Sequence, residues 1–232
     1  MPTVLITGAN RGLGLEYARQ YSELSWDVIA CTRKPDAPEL LALDQERLRI
    51  CTLDVTDHAS VDALAAELGE VALDILVNNA GTTGPKGAPE CMEYSGVDNM
   101  DYDIWRETLE VNLLGAFKVA TAFRNHLANA ERGVLVNMSS DLGSMAQNTM
   151  GNMYAYRGSK TALNMVTKGF ANDCPEFITV SMAPGWCRTE LGGMGAEIDP
   201  AESVAEQIKT LAKVTQEQSG CFIDRFGAAV PW

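Results

Sequence analysis

The sequence predicts an α/β fold: a single-domain, doubly wound parallel sheet of about seven strands with helices on both faces. Three observations predict it. Short apolar runs alternate with helical stretches along the whole chain. A glycine-rich turn joins the first apolar run to the first helix. The 232 residues are enough for one well-buried domain, and no linker, repeat or low-complexity tract divides them, so residues 1–232 read as one unit.

The elements follow in order. "TVLIT" (3–7) is the first strand and "GLGLEYARQYSEL" (12–24) the first helix. "DVIACT" (27–32), a short helix in "APELLALD" (37–44) and the strand "LRICTLDV" (48–55) come next. Asp57 caps the helix "HASVDALAAELGE" (58–70), since its carboxylate can accept the free N–H groups of a first turn. "LDILVNNAG" (73–81) is the fourth strand. Residues 82–99 form the longest irregular stretch, of a kind that often serves function. "MDYDIWRETLEVNLLGAFKVATAFRNHLA" (100–128) reads as one long helix. "RGVLVNMSS" (132–140) is the fifth strand, residues 154–173 the next helix and "FITVSMAPG" (177–185) the sixth strand. "DPAESVAEQIKTLAKV" (199–214) opens with an Asp cap and Pro at the first helical position. "GCFID" (220–224) supplies a last strand.

Composition narrows the function. A net charge of −13, from 18 basic and 31 acidic residues, argues against nucleic acid as a partner. Six cysteines include no CxxC pair and only two histidines accompany them, so no metal site is expected. Cys31 and Cys51 lie in strand-like runs, as buried free thiols do, and a reducing, cytoplasmic setting is expected. "PTVLITGANRG" has no basic segment before its apolar run and breaks at Gly8, unlike a signal peptide. No apolar run approaches the ~18 residues that span a bilayer, so no membrane partner is expected.

Gly8, Gly12 and Gly14 are spaced GxxxGxG between the first strand and the first helix. Glycines there let the backbone turn tightly and approach a phosphate, which the free N–H groups of a helix start then bind. At the end of the second strand an acid would grip the 2′-hydroxyl of an unphosphorylated dinucleotide. Thr32 and Arg33 stand there instead, Arg11 lies in the glycine loop, and Asp36 follows Pro35 in a loop. Two guanidiniums with no opposing carboxylate suit a 2′-phosphate, hence NADP(H) rather than NAD(H).

"YAYRGSK" holds Tyr156 and Lys160 four apart, on one helix face, whereas Tyr154 faces elsewhere and is expected to line the pocket or pack. A free phenol has a pKa of about 10. A neighbouring ammonium favours the phenolate and is expected to lower that value, which would fit Tyr156 for general acid–base work.

With "TGANRGLG", "NNAG", "VNMSS", "YRGSK" and "PGWCRT" in this order, the sequence resembles the short-chain dehydrogenase/reductase family over essentially its whole length. "NRGLG", "MYAYRGSK" and the ending "GCFIDRFGAAVPW" look closest to the C-factor/Sniffer-like carbonyl reductases. The resemblance implies a Rossmann-type fold and an NADPH-dependent enzyme reducing ketones or aldehydes to alcohols. The alternative is an NADP(H)-binding regulatory or signalling protein of the C-factor type with little turnover. It implies that Thr7, Gly8, Asn10, Arg11, Gly12, Leu13 and Gly14 form the phosphate turn, and that Asp54 and Val55 hold the adenine. Asn78, Asn79, Ala80 and Gly81 support the sheet and the ribose side. Asn112, Ser140, Tyr156 and Lys160 are implied as the catalytic set, with Asn112 kinking its helix and holding a water, and Lys160 also bonding the nicotinamide ribose. Pro184, Gly185, Cys187 and Thr189 are implied at the nicotinamide end, and a homodimer or homotetramer as the assembly.

Two departures stand out. Ser140 precedes Tyr156 by 16 positions, more than the family's commonest spacing, which makes Ser144 an alternative. Ser140 is preferred because it ends the strand directly, and alternation turns Ser139 to the other face. Cys187 replaces the commoner valine. The substrate pocket is expected from residues 140–156 and 185–200, with Met145, Met150, Met153, Trp186, Leu191 and Met194 as adaptable apolar walls. Glycines within 187–199 suit a mobile lid.

Overall fold

The protein is described from a computed structural model covering residues 1–43, 46–193 and 195–232. Seven strands form one sheet: β1 (Thr3–Thr7), β2 (Asp27–Thr32), β3 (Leu48–Thr52), β4 (Ile75–Asn78), β5 (Val134–Met138), β6 (Ile178–Ala183) and β7 (Cys221–Asp224). All neighbours are parallel, in the order β3-β2-β1-β4-β5-β6-β7. The helices are α1 (Gly12–Glu23), α2 (Pro38–Leu41), α3 (His58–Leu68), α4 (Tyr102–Leu109), α5 (Ala116–Ala122), α6 (Arg124–Ala128), α7 (Tyr154–Asp173) and α8 (Pro200–Leu211).

The strands are apolar on both faces because both faces are covered. Val4, Ile6, Val77, Val136 and Val180 pack with Tyr17 and Tyr21 of α1 and Val204 and Leu211 of α8. Leu5, Leu76 and Leu135 point the other way, to Val61 and Leu64 of α3, Val119 of α5 and Phe170 of α7. The chain winds outward from β1 through β2 to β3, then returns to place β4 on the other side of β1. Such a reversal opens a crevice at the carboxyl ends of the two central strands, and this is where the site lies.

The caps fall where expected. Asp57 accepts from the N–H groups of Ala59 and Ser60, and Asp199 from that of Ala201. The expected long helix over 100–128 is instead α4, capped by Asp101, then a π-helical turn Glu110–Gly115, then α5 and α6 separated at the fully buried Phe123. The wide turn surrounds Asn112, whose side chain bonds outside its own helix. Strands β3 to β6 end earlier than the apolar runs that encode them, because their last residues leave the ladder to line the crevice. Helix α2 covers only 38–41, and the expected end of its run at Asp44 lies outside the described residues. Residues 82–99 are folded on themselves: the Tyr94 hydroxyl accepts from Lys86 N at 3.0 Å, and a 3₁₀ turn covers Glu90–Glu93. Among the described residues no helix is long and apolar enough to cross a membrane.

Candidate active site

The crevice is a cleft of about 1080 Å³. Its floor begins where β1 ends. The Thr7 hydroxyl accepts from the N–H groups of Asn79 and Ala80, each at 3.0 Å. The Asn79 amide donates to Thr7 O at 2.9 Å, stapling the end of β4 to the glycine loop. Gly8 and Gly12 have φ of +68° and +55°, which side chains rarely adopt. A Cβ on Gly14 would stand 2.2 Å from the Gly8 carbonyl oxygen. The loop is thus folded on itself as it enters α1, whose first amides have no partner within the helix. Asn10, Arg11, Gly12 and Leu13 line the cleft there.

Beside it lies the end of β2. Thr32 is buried and its hydroxyl accepts from Lys34 N at 3.0 Å, so this side chain is committed to the turn. Arg33 is exposed and sits 3.9 Å from the Asp54 carboxylate. Arg11 is paired with Glu190 across the mouth of the cleft. Neither guanidinium therefore lacks a carboxylate, contrary to the expectation from sequence: Asp54 and Glu190 are distant in the chain and brought near by the fold. Asp36 does not line the cleft. Burial would raise the Asp54 carboxyl, but two hydrogen bonds from Thr56, helped by Arg33, hold it below its ordinary value. Val55 is buried against Gly115 at the cleft edge.

Helix α7 starts at the left-handed Met153 and presents Tyr156 and Lys160 on one face. Both are buried, at 8% and 4% exposure. Lys160 Nζ donates to Met138 O at 2.7 Å and stands 5.6 Å from the centre of the Tyr156 ring. The Ser140 hydroxyl is hydrogen-bonded with the Tyr156 phenol and also accepts from Leu142 N. Ser144 instead donates to Pro231 O at 2.5 Å and lies outside the cleft, so the serine facing the phenol is Ser140. Ser139 turns away to Asn164, as alternation requires.

The electrostatics depart from expectation. Burial pushes the Tyr156 phenol up to about 12, with the Ser140 hydrogen bond pulling the other way. Burial also pulls Lys160 down to about 8. The expected net lowering of the phenol is not present in the protein by itself, because removal from water penalises both charged forms.

Asn112 is fully buried behind the cleft rather than in it. It accepts from Thr82 N at 2.8 Å and donates to Thr82 O and to the Ser159 hydroxyl, each at 2.9 Å. It ties the segment after β4 to α7. Gly81 lies between: a Cβ there would be 3.3 Å from the Asn112 oxygen and 3.6 Å from Lys160 Nζ.

At the far end, Pro184, Gly185, Cys187 and Thr189 line the cleft. The Ser203 hydroxyl holds Pro184 O at 2.7 Å, and Thr189 packs on Gly12. Met150, Met153, Trp186 and Leu191 are wall residues as expected. Met145 and Tyr154 are not; they line a separate groove on the outer side of α7. Met194 lies outside the described residues. The loop from Cys187 is braced internally by the Arg188–Asp199 ion pair and externally by Ala88 N donating to Leu191 O at 2.9 Å. That contact brings Ala88, Pro89 and Met92 into the wall. Sequence reasoning missed these three; the length of the 82–99 excursion was the only signal for them.

A family model described as short chain dehydrogenase matches residues 2–199. The chain belongs to the short-chain dehydrogenase family. It is 34% identical to the C-signal of Myxococcus xanthus over 172 residues, covering 73% of this chain and 99% of that one. It is also 34% identical, over the full length of both chains, to 1-hydroxy-2-glutathionyl-2-methyl-3-butene dehydrogenase of a Rhodococcus species. Among solved structures it is similar to the carbonyl reductase Sniffer of D. melanogaster, with a TM-score of 0.90, 32% identity and full coverage of both chains. It is similar also to the NADPH-bound carbonyl reductase from chicken fatty liver, with a TM-score of 0.89, 30% identity and coverage of 100% of this chain and 99% of that one.

Proposed function

We propose that this protein is one domain working as an NADP(H)-dependent oxidoreductase that reduces ketones and aldehydes to alcohols, with Tyr156 as the proton donor. One observation carries the reading: the Tyr156 phenol meets Ser140, with Lys160 beneath it, in a cleft floored by a glycine turn. The cleft fits a dinucleotide, because Gly8, Asn10, Gly12 and Leu13 line it at the start of α1, where free backbone amides can reach a phosphate, and the loop packs too tightly at Gly8 and Gly14 to admit side chains. The likeness to carbonyl reductases, one solved with NADPH, supports the cofactor and the reaction class.

Gly8, Asn10, Arg11, Gly12, Leu13 and Gly14 would hold the pyrophosphate; Thr32 and Arg33, with Arg11 released from Glu190, the 2′-phosphate. Asp54 and Val55 would border the adenine, and Asn79, Ala80 and Gly81 the ribose side. Lys160 would bond the nicotinamide ribose, and Pro184, Gly185, Cys187 and Thr189 would enclose the nicotinamide. When bound, this cofactor supplies the hydride. Tyr156 gives its proton to the carbonyl oxygen as negative charge develops there, and Ser140 donates a hydrogen bond to the same oxygen. The Lys160 ammonium then stabilises the phenolate left behind. With its pKa pushed up to about 12 by burial, the phenol is protonated throughout the physiological range, the form that gives a proton. Asn112 acts as a positioning residue through Thr82 and Ser159.

Lys160 carries the pH dependence. It is charged below about 8 and neutral above, so kcat/KM for reduction is expected to fall as pH rises through about 8. Lys160→Arg, which keeps its charge, should remove that fall even if its overall rate is lower. An unchanged profile would exclude Lys160 as its source.

Arg33→Asp is expected to lower kcat/KM with NADPH by about 10- to 150-fold, the loss of a charge-assisted hydrogen bond, while leaving that with NADH nearly unchanged. Steady-state rates with both cofactors check this; a wild type that prefers NADH would remove the argument.

The 34% identity to C-signal favours a second reading, a dinucleotide-binding signalling protein with little turnover. Oxidation of NADPH and NADH against a panel of quinones, diketones and aldehydes, in wild type and in Tyr156→Phe, separates the two. Wild-type turnover lost in the variant supports the enzyme; no turnover in either supports the signalling protein.

A further inference from the structure

Two thiols lie under the adenosine end of the cleft and take no part in the chemistry above. Cys31 of β2 and Cys51 of β3 are register partners on neighbouring parallel strands. Both are buried, in the same core layer, so their side chains leave the sheet on the same face. Adjacent strands lie about 4.8 Å apart, inside the Cα separation a disulfide accepts. The thiols are thus nearest neighbours across the two strands, close enough for each to shift the other's titration. Cys31 also lines the cleft. One rung further on, Leu53 N donates to Thr32 O at 2.9 Å, and the residues that follow are Arg33 and Asp54, 3.9 Å apart. The thiol pair thus lies one rung beneath the ends of the two strands that carry the groups assigned to the 2′-phosphate.

We infer that Cys31 and Cys51 are a site of oxidative modification, closed to a disulfide by a hydroperoxide, and that closure weakens binding of the dinucleotide. The Cys51 sulfur attacks the peroxide, the O–O bond breaks, and the first water leaves a sulfenic acid on Cys51. The Cys31 sulfur then attacks the Cys51 sulfur, the S–O bond breaks and a second water departs. Two thiols lose two hydrogens and two electrons, and one hydrogen peroxide becomes two waters. The neighbouring Cys31 thiol pulls Cys51 below its ordinary value, burial resists, and the Arg49 guanidinium adds to the lowering; Cys31 is pushed up and keeps its proton. Cys51 is therefore the attacking thiolate and Cys31 the resolving thiol. Closing the bond fixes the two side chains in the torsion a disulfide requires and so twists β2 against β3 one rung below the strand ends that carry Arg33 and Asp54. A bound dinucleotide covers Cys31 and should slow the closure.

The inference rests on the cofactor reading above and is tested with the full chain carrying Cys221→Ser, which removes the one thiol that is not fully buried. The protein is treated with hydrogen peroxide, with and without NADPH, and followed by intact mass, peptide mapping and NADPH titration. Expected are a loss of two hydrogens mapped to a Cys31–Cys51 link, slower loss when NADPH is present, NADPH affinity at least about tenfold weaker after closure, and recovery with dithiothreitol. Adding Cys51→Ser should abolish the link and the affinity change while leaving the untreated affinity intact. Cys51 stopping at a sulfenic or sulfinic acid, a link that leaves affinity unchanged, or a closure rate indifferent to NADPH would each overturn the inference. A reduced protein that does not bind NADPH would overturn the cofactor reading instead, with the link still decided by its mass.

Discussion

Tyr156→Phe is expected to lower kcat for carbonyl reduction by about 10²- to 10⁴-fold while leaving NADPH affinity within about twofold of wild type. The substitution deletes one oxygen and keeps the ring, so Met153 and Cys91, which pack with it, retain their neighbour. What is lost is the phenol oxygen that meets Ser140 and is backed by Lys160. Tyr154 cannot replace it, since its side chain opens onto the groove on the outer side of α7. Single-turnover hydride transfer and fluorescence titration of NADPH separate the two effects. A variant with wild-type kcat would remove Tyr156 from the chemistry. A variant that lost cofactor binding in parallel would show that the hydroxyl holds the cleft together rather than donating a proton.

The second large effect is expected at Gly14. A Cβ there would lie 2.2 Å from Gly8 O, 2.6 Å from Asn79 Nδ2 and 2.9 Å from Gly8 C. Two of those atoms are backbone, so no side chain can rotate to make room. Gly14→Ala must push the glycine loop off the end of β1 and break the staple between Asn79 and Thr7. Overpacking of this kind costs about 1–3 kcal/mol. For a chain of this size that corresponds to a fall of about 2–12 °C in Tm. Because the displaced atoms form the phosphate turn, NADPH affinity should fall by two orders of magnitude or more, about 3 kcal/mol. Gly158→Ala is the control: it lies on the exposed face of α7, a Cβ there meets nothing within 4 Å, and alanine suits a helix interior better. Thermal unfolding and NADPH titration of both variants check the pair. Equal behaviour at the two positions would show that the close approach at Gly14 is not what shapes the loop.

Much of the site was legible in the sequence. The glycine spacing, the Tyr156–Lys160 interval, the Asp57 and Asp199 caps and the switch between strand and helix periodicity are all local. Each is set by residues a few positions apart, where propensity, capping and turn geometry act on neighbouring backbone. The strand ladder followed from continuous apolar runs such as "TVLIT" and "ILVN". What local pattern left open or missed has a common cause. The break in the helix over 100–128 comes from Asn112 bonding Thr82 and Ser159, 30 and 47 positions away. Ser144 is excluded by its bond to Pro231, 87 positions away. Arg11 meets Glu190 across 179 positions.

The sequence by itself determined the layered α/β architecture, the place of the phosphate turn and the pairing of phenol with ammonium, because these arise from interactions within a turn or two of chain. Tertiary structure alone decided which carboxylates meet the two arginines, which residues of 82–99 wall the cleft and which way Tyr156 and Lys160 titrate. Those outcomes depend on long-range contacts and on exclusion of water, and desolvation is a property of everything packed around a group rather than of its neighbours in the chain.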